Sequence, residues 1–308
     1  MPLSIHTPLL ESLPLSHLNG ISVHLKIDAL QPSGSFKLRG IGHACEQHAA
    51  KGVRRFVSSS GGNAGLAVAY AGRKLGIRVL VVVPETTSER AKNLLCLEGA
   101  EVIVHGTSWV EANELALSKM DDEDAFLHPF DDPLLWPGHA TLIDEVVADG
   151  LIPDAVVLSV GGGGLLTGMS EGLNRNGLGD VPIYAAETEG MASFNAALKA
   201  GQPIELETLS GVATSLGARK VCERAVEVAN ERPVIPLTVS DTEAVNACLS
   251  FLNDHRLLVE PACGAALALL YEGKIDVKRH KKILVVVCGG STATVESLNE
   301  YRLQSVSG

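Results

Sequence analysis

Aromatic residues fill only 4% of the 308 positions. That is too few for the stacking platforms on which proteins hold unpaired bases. Positive charge is also short. Lysine and arginine total 25 against 36 acidic residues, a formal net charge of −11. Such a chain lacks the basic face that neutralises nucleic-acid phosphates. Long apolar runs are missing: the longest, at 79–83 and 283–287, hold about five residues where a membrane helix needs about 20. Paired cysteines are missing too. Cys45, Cys96, Cys222, Cys248, Cys263 and Cys288 form no CxxC and show no zinc spacing. The first 18 residues carry no basic segment followed by an apolar core, so no signal peptide is expected. These absences lead to a soluble, cytoplasmic protein with reduced, mostly buried cysteines and neither nucleic-acid nor membrane partners. What the chain has in excess is glycine, 31 residues, and the glycines cluster.

Hydrophobic residues make up 46% and charged residues 20%, an ordinary globular balance. The length suits about two domains. Periodicity alternates between strand and helix from end to end. Residues 22–28 alternate apolar Val23, Leu25 and Ile27 with polar His24, Lys26 and Asp28, which predicts a half-buried strand. Residues 77–83 are apolar but for Arg78, as in a strand covered on both faces. Further strands are expected at 56–59, 101–104, 155–160, 183–186, 234–239 and 283–288. Helices are expected from about Ser35, then at 63–75, 89–97, 110–119, 143–148, 165–173, 191–199, 221–230, 242–253 and 263–271. Strands alternating with helices predict an α/β fold built on parallel sheets. Ligands in such folds bind beyond the carboxyl ends of strands. Three predicted strands end there in Gly-rich turns.

The first turn, Gly161-Gly162-Gly163-Gly164-Leu165, leads from a strand into a helix. Bare backbone N–H groups at a helix start suit a phosphate. The spacing fails the dinucleotide fingerprint, because Leu166 or Thr167 stands where its last glycine belongs. It also fails the nucleotide P-loop, because Met169 follows Gly168. The second turn, Ser58-Ser59-Ser60-Gly61-Gly62-Asn63-Ala64-Gly65, offers hydroxyls, an amide and N–H groups that suit a carboxylate; Asn63 could equally be a plain helix cap. The third, Cys288-Gly289-Gly290-Ser291, offers a thiol that could face a ring or belong to the core. Lys37, within Pro32-Ser33-Gly34-Ser35-Phe36-Lys37-Leu38-Arg39-Gly40, falls early on a helix. The positive field there favours a neutral amine over a charged one. A phosphate loop, an amine able to form a Schiff base, a carboxylate nest and a ring-facing thiol together point to pyridoxal phosphate holding an amino acid.

On these residues, and on Val259-Glu260-Pro261-Ala262-Cys263-Gly264-Ala265-Ala266, the whole chain resembles the fold-type II pyridoxal-phosphate enzymes. Within them it is most similar to the catabolic L-serine/L-threonine dehydratases. The resemblance implies a tryptophan synthase β-like α/β fold with two open, twisted, mostly parallel sheets flanked by helices. It implies a large cofactor-binding domain from residues 1–31 and 128–308, with residues 32–127 inserted as a small domain, and a homodimer acting on small amino acids. It makes Lys37 the Schiff-base lysine and the base at the substrate Cα. Phe36 and Ala213 would flank the pyridine ring, Asn63 would bond the ring hydroxyl, Gly161, Gly162, Gly163, Gly164 and Leu165 would bind the phosphate, and Cys288 would face the ring nitrogen. Ser60 would act at the substrate, among a substrate-binding set of Ser59, Ser60, Gly61, Asn63 and Ala64. Glu187, Met191, Ser193, Leu216 and Ala218 would hold a monovalent cation, K+.

The implied reaction converts L-serine to pyruvate and L-threonine to 2-oxobutanoate with release of ammonia. Gly61 and Gly62 are expected to leave room for the threonine methyl. Ala64 stands where biosynthetic threonine deaminases and serine racemases carry histidine, which disfavours both. Other readings remain: a weakly active dehydratase-like paralogue, a racemase or β-replacing synthase of the same fold, and a nicotinamide oxidoreductase with Glu187 on a ribose.

Overall fold

A computed structural model describes residues 2–306. Ten strands form two sheets. They are β1 (Leu9–Glu11), β2 (Ser22–Lys26), β3 (Arg55–Ser58), β4 (Arg78–Val83), β5 (Glu101–Val104), β6 (Asp124–Phe126), β7 (Ala155–Ser159), β8 (Ile183–Thr188), β9 (Val234–Val239) and β10 (Lys282–Val286). The larger sheet runs β1-β2-β10-β7-β8-β9 and the smaller β5-β4-β3-β6. Every pairing is parallel except that of β1 with β2. The larger sheet therefore draws on both ends of the chain and the smaller on residues 55–126. Pro236 lies in β9, an edge strand, where a missing N–H can face away from the ladder.

Between the strands run α1 (Leu13–Asn19), α2 (Lys37–Ala50), α3 (Asn63–Leu75), α4 (Glu89–Leu97), α5 (Trp109–Ser118), α6 (Leu135–Ala148), α7 (Gly164–Arg175), α8 (Ser193–Ala200), α9 (Glu223–Glu231), α10 (Asp241–His255), α11 (Pro261–Tyr271) and α12 (Val295–Val306). The main core surrounds the larger sheet and takes in α11, whose residues 261–270 are all buried. Two smaller clusters cover the faces of the second sheet. Continuous apolar strands and two-sided cover go together here, as expected for parallel sheets.

Three expectations need correction. Strand β2 is not half-buried with its polar residues in water. Lys26 and Asp28 are fully buried. Lys26 Nζ meets Glu145 Oε2 at 2.7 Å and the Thr7 carbonyl at 2.7 Å. Strand alternation records polarity, but a buried ion network can receive polar side chains too. The helix expected at 143–148 begins at Leu135, because Pro137 falls in its first turn, where no intrahelical N–H is needed. Residues 189–191 form a separate 3-10 turn before α8, which starts at Ser193 and not at Met191.

The buried network also fixes α2. Arg39 bonds Asp28 through Nε at 2.6 Å and Nη2 at 2.8 Å, and Glu145 through Nη1 at 2.7 Å and Nη2 at 2.8 Å. Such paired, two-pronged contacts are directional. They pin the helix two residues beyond Lys37 to the turn that follows β2 and to α6.

Candidate functional site

Lys37 is the first residue of α2. Its Nζ lies 5.0 Å from the centre of the Phe36 ring and donates to the Pro129 carbonyl at 2.6 Å. The side chain as a whole is half-buried, but the amine is desolvated, and that lowers its pKa to about 8. Cys288, Glu260 and Cys222 pull the other way more weakly. Phe36 is backed by the His139 ring at 5.1 Å. Burial, with Lys37 and Arg39 nearby, holds that histidine neutral, well below its ordinary pKa.

The residue after Pro129, Phe130, leads to the tetraglycine turn. A Cβ on Gly162 would stand 2.1 Å from the Phe130 ring, and one on Gly164 would stand 2.6 Å from the Phe130 carbonyl oxygen. Gly163 adopts φ +95°, open to glycine at little cost. Gly161 lies close against Leu216, two residues before the cation candidate Ala218. Among the described residues, no protein acceptor takes the N–H of Gly161, Gly162, Gly163, Gly164 or Leu165, although the last three residues are buried. Buried backbone donors are normally paired. Five unpaired ones at the start of a twelve-residue helix make a cradle that fits a phosphate.

The serine-rich turn follows β3. Asn63 is not a cap: Gly62 occupies the cap position and Asn63 is the first residue of α3. Its side chain crosses to the other half of the molecule. Asn63 Nδ2 donates to Glu260 Oε1 at 2.8 Å, and Oδ1 accepts from the Ser291 N–H at 3.0 Å. The N–H groups of Gly61, Asn63 and Ala64 meet no protein acceptor among the described residues. Ser60 is half-buried. The Ser59 hydroxyl is buried and donates to Asn113 Oδ1 at 2.8 Å, which ties the turn to α5. Gly61 does not provide space, contrary to the sequence reading. Its Cβ would stand 2.6 Å from Thr87 Cγ2 and 3.2 Å from Val83 Cγ1. Gly62 has open space around it.

Cys288, just beyond β10, is buried, and its carbonyl accepts the Phe36 N–H at 3.0 Å. Gly289 bridges to Ser35. The third turn is thereby stitched to the lysine segment. A hydrogen-bond contact with the Cys263 thiol and burial both push the Cys288 thiol well above its ordinary pKa, so it stays neutral. Ala213 is buried. Glu187 is buried, and burial raises its pKa to about 7. Its oxygens accept the N–H groups of Phe194 and Asn195, each at 2.8 Å, at the start of α8. The Ser193 hydroxyl nearby is buried with no partner. A Cβ on Gly217 would lie 3.6 Å from Met191 Sδ, so the segments holding Met191 and Leu216–Ala218 adjoin.

The structure thus gathers Lys37, Phe36, Asn63, Cys288 and the glycine turn. Sequence reasoning gave no role to Pro129, Phe130, His139, Ser291 or Glu260. Glu260 and Ser291 stood inside motifs that the sequence analysis singled out; Pro129, Phe130 and His139 carried no local signal.

Comparison with known proteins agrees with this geometry. Residues 2–289 match the family model described as pyridoxal-phosphate dependent enzyme. The chain is 48% identical to a serine dehydratase-like protein of Mus musculus, over 97% of this chain and 94% of that protein. It is 44% identical to an L-serine dehydratase of Dictyostelium discoideum, over 97% and 91%. The crystal structure of a fungal L-serine ammonia-lyase from Rhizomucor miehei superimposes with a TM-score of 0.94 at 35% identity, covering 99% of each chain.

Proposed function

Because this chain belongs to the pyridoxal-phosphate-dependent enzyme family, we propose that its site is that of an L-serine/L-threonine ammonia-lyase, releasing pyruvate or 2-oxobutanoate and ammonia. The observation that carries the assignment is the row of unpaired N–H groups from Gly161 to Leu165, joined through Phe130 and Pro129 to an amine of lowered pKa. Relatives named L-serine dehydratase/L-threonine deaminase, such as that of Mus musculus at 46% identity, support the substrate class.

Pyridoxal phosphate, when bound, supplies an electron sink conjugated to the substrate nitrogen, which acidifies the Cα proton. The chain supplies the rest. The N–H groups of Gly161 to Leu165 hold the phosphate at the positive end of α7. Phe36 and Ala213 would bound the ring, and the Cys288 thiol, kept protonated by burial and by Cys263, would serve its nitrogen as a neutral partner. The N–H groups of Gly61, Asn63 and Ala64, with Ser60, receive the substrate carboxylate at the start of α3. Lys37 Nζ, whose desolvation lowers its pKa to about 8 and so keeps a usable neutral fraction near physiological pH, takes the Cα proton. Gly62 leaves room for the threonine methyl, and a single methylene discriminates by only about 1–3 kcal/mol in any case. Residues 32–127 act as a small unit that closes on the rest and keeps water from the reacting carbons.

Three finer assignments complete the proposal. Glu187, Ser193 and the carbonyls of Met191, Leu216 and Ala218 hold a monovalent cation; the unpartnered Ser193 hydroxyl supports it, and oxygen donors suit a hard ion. The enzyme is a homodimer; exposed Leu10, Leu13 and Leu18 at one edge of the larger sheet support a covered face. It works in the cytoplasm in amino-acid catabolism; its six free cysteines, five of them buried, support a reducing compartment. No helix among the described residues is long and apolar enough to cross a membrane.

The deciding assay incubates purified holoenzyme with L-serine, L-threonine and their D-enantiomers and measures keto acid and ammonia. Both L-substrates should react and the D-forms should not. D-serine turnover comparable to L-serine overturns the assignment in favour of a racemase or D-specific lyase. Replacing K+ by tetramethylammonium should lower activity, and unchanged activity overturns the cation.

A further inference from the structure

Glu260 occupies the cap position of α11, yet its carboxylate makes no cap bond. It points across to α3. Its Oε1 receives Asn63 Nδ2 at 2.8 Å, and Ser215 lies within hydrogen-bonding reach. The route is kept open by Gly290. A Cβ there would stand 2.3 to 2.4 Å from Glu260 Cγ, Cδ and Oε2, and the φ of +137° at Gly290 favours glycine as well. Two features of the backbone thus serve one carboxylate. The titratable groups facing it are Lys37 and the thiols of Cys288 and Cys248, and none forms an ion pair with it.

The chemistry of the partners fixes how the Asn63 amide is turned. The Ser291 N–H can only donate, so it must meet the amide oxygen. Glu260 then accepts from the amide nitrogen. One hydrogen of that nitrogen is spent on Glu260, and the second has no protein acceptor among the described residues. We propose that Glu260 is a positioning residue for the elimination reaction: it locks the Asn63 amide so that its second N–H stays available to the ring oxygen of the cofactor. Burial raises the Glu260 pKa to about 7, with Ser215, Asn63 and Lys37 opposing. Either protonation state keeps an oxygen able to accept from Asn63, so the lock does not depend on the charge.

This inference rests on the reading of the site as a pyridoxal-phosphate site, and the test separates the two. Apo forms of the wild type, Asn63→Ala, Glu260→Ala, Glu260→Gln and the double alanine variant are titrated with pyridoxal phosphate. Affinity and the visible spectrum of the bound cofactor are recorded. Each single alanine variant should weaken binding about tenfold, as for loss of one orienting hydrogen bond. Both should shift the visible band in the same direction. The double variant should be no more than about twofold weaker than either single, because one residue acts through the other. Glu260→Gln keeps an accepting oxygen and nearly the same volume, so it should bind within about threefold of wild type. If Glu260→Ala and the double variant fail to fold, Glu260→Gln and Asn63→Ala decide. Loss in the glutamine variant equal to that in Asn63→Ala overturns the lock. So does additive weakening in the double variant, or a Glu260→Ala spectrum identical to wild type. A wild type that takes up no cofactor overturns the site reading itself.

Discussion

In the proposed role Lys37 has to be neutral to attack the cofactor aldehyde, and its surroundings set how often it is. With a pKa of about 8 against 10.5 for an ordinary lysine, roughly 9% of the amine is neutral at pH 7 and roughly 91% at pH 9. An unperturbed lysine would be neutral at about 0.03% and about 3%. The rate at which apoprotein develops the visible band on mixing with pyridoxal phosphate should therefore rise about tenfold between pH 7 and pH 9 and flatten above pH 8. For an ordinary lysine it should rise about a hundredfold with no plateau in that window. The perturbation is the pH itself, followed by stopped-flow absorbance. The cofactor also titrates, so a blocked free lysine run in parallel supplies the correction. Burial is the main cause of the shift and the acidic groups oppose it. Glu260→Gln should consequently move the plateau to slightly lower pH. A rate that keeps climbing tenfold per pH unit to pH 9 refutes the desolvated amine.

Three further outcomes are expected. Lys37→Ala should bind cofactor without the lysine-bound visible band and show no elimination activity; a variant that keeps the band refutes the assignment. Gly162→Ala forces a methyl into the Phe130 ring, an overpacking that should cost about 1–3 kcal/mol. Urea unfolding should show that loss, and cofactor affinity should fall with it; wild-type values in both refute the packing of the cradle. Arg39→Ala strands the buried Asp28 and leaves the half-buried Glu145 with Lys26 as its remaining cation, and should cost about 3–5 kcal/mol by the same unfolding assay. A loss below about 1 kcal/mol refutes the network as the anchor of α2.

The sequence exposed what is local. Strands β5 and β9 and helices α3 and α4 have the bounds their periodicity predicts, because each is written in contiguous residues. The glycine turns were legible for the same reason: a turn that needs bare backbone announces itself by composition. Lys37 was legible because its peculiarity, an amine at a helix start, is a fact about neighbours in the chain. Burial of Lys26 and Asp28 was not legible, since their partners Glu145 and Arg39 lie on other elements. The same limit hid the environment of Asn63. From its own turn it read equally as a cap or as a ligand-binding amide. Contacts 197 and 228 residues away, to Glu260 and Ser291, decide the matter.

Those contacts also say why the active-site residues are spread along the chain. A base, a phosphate cradle and a carboxylate nest must sit within a few ångströms of one small substrate, yet each needs its own rigid support. Here α2 supports the lysine, α7 the cradle and α3 the nest; polar bonds fasten α2 and α3 across the molecule, and the cradle packs against Phe130. Arg39 ties α2 to Asp28 and Glu145, Pro129 meets Lys37, and Glu260 with Ser291 ties α3 to the larger sheet. Two of these three fastenings engage Lys37 or Asn63 directly. Asn63 is held from both sides: Glu260 accepts from its Nδ2 and the Ser291 N–H donates to its Oδ1, so the amide is fixed only where α3 lies against both.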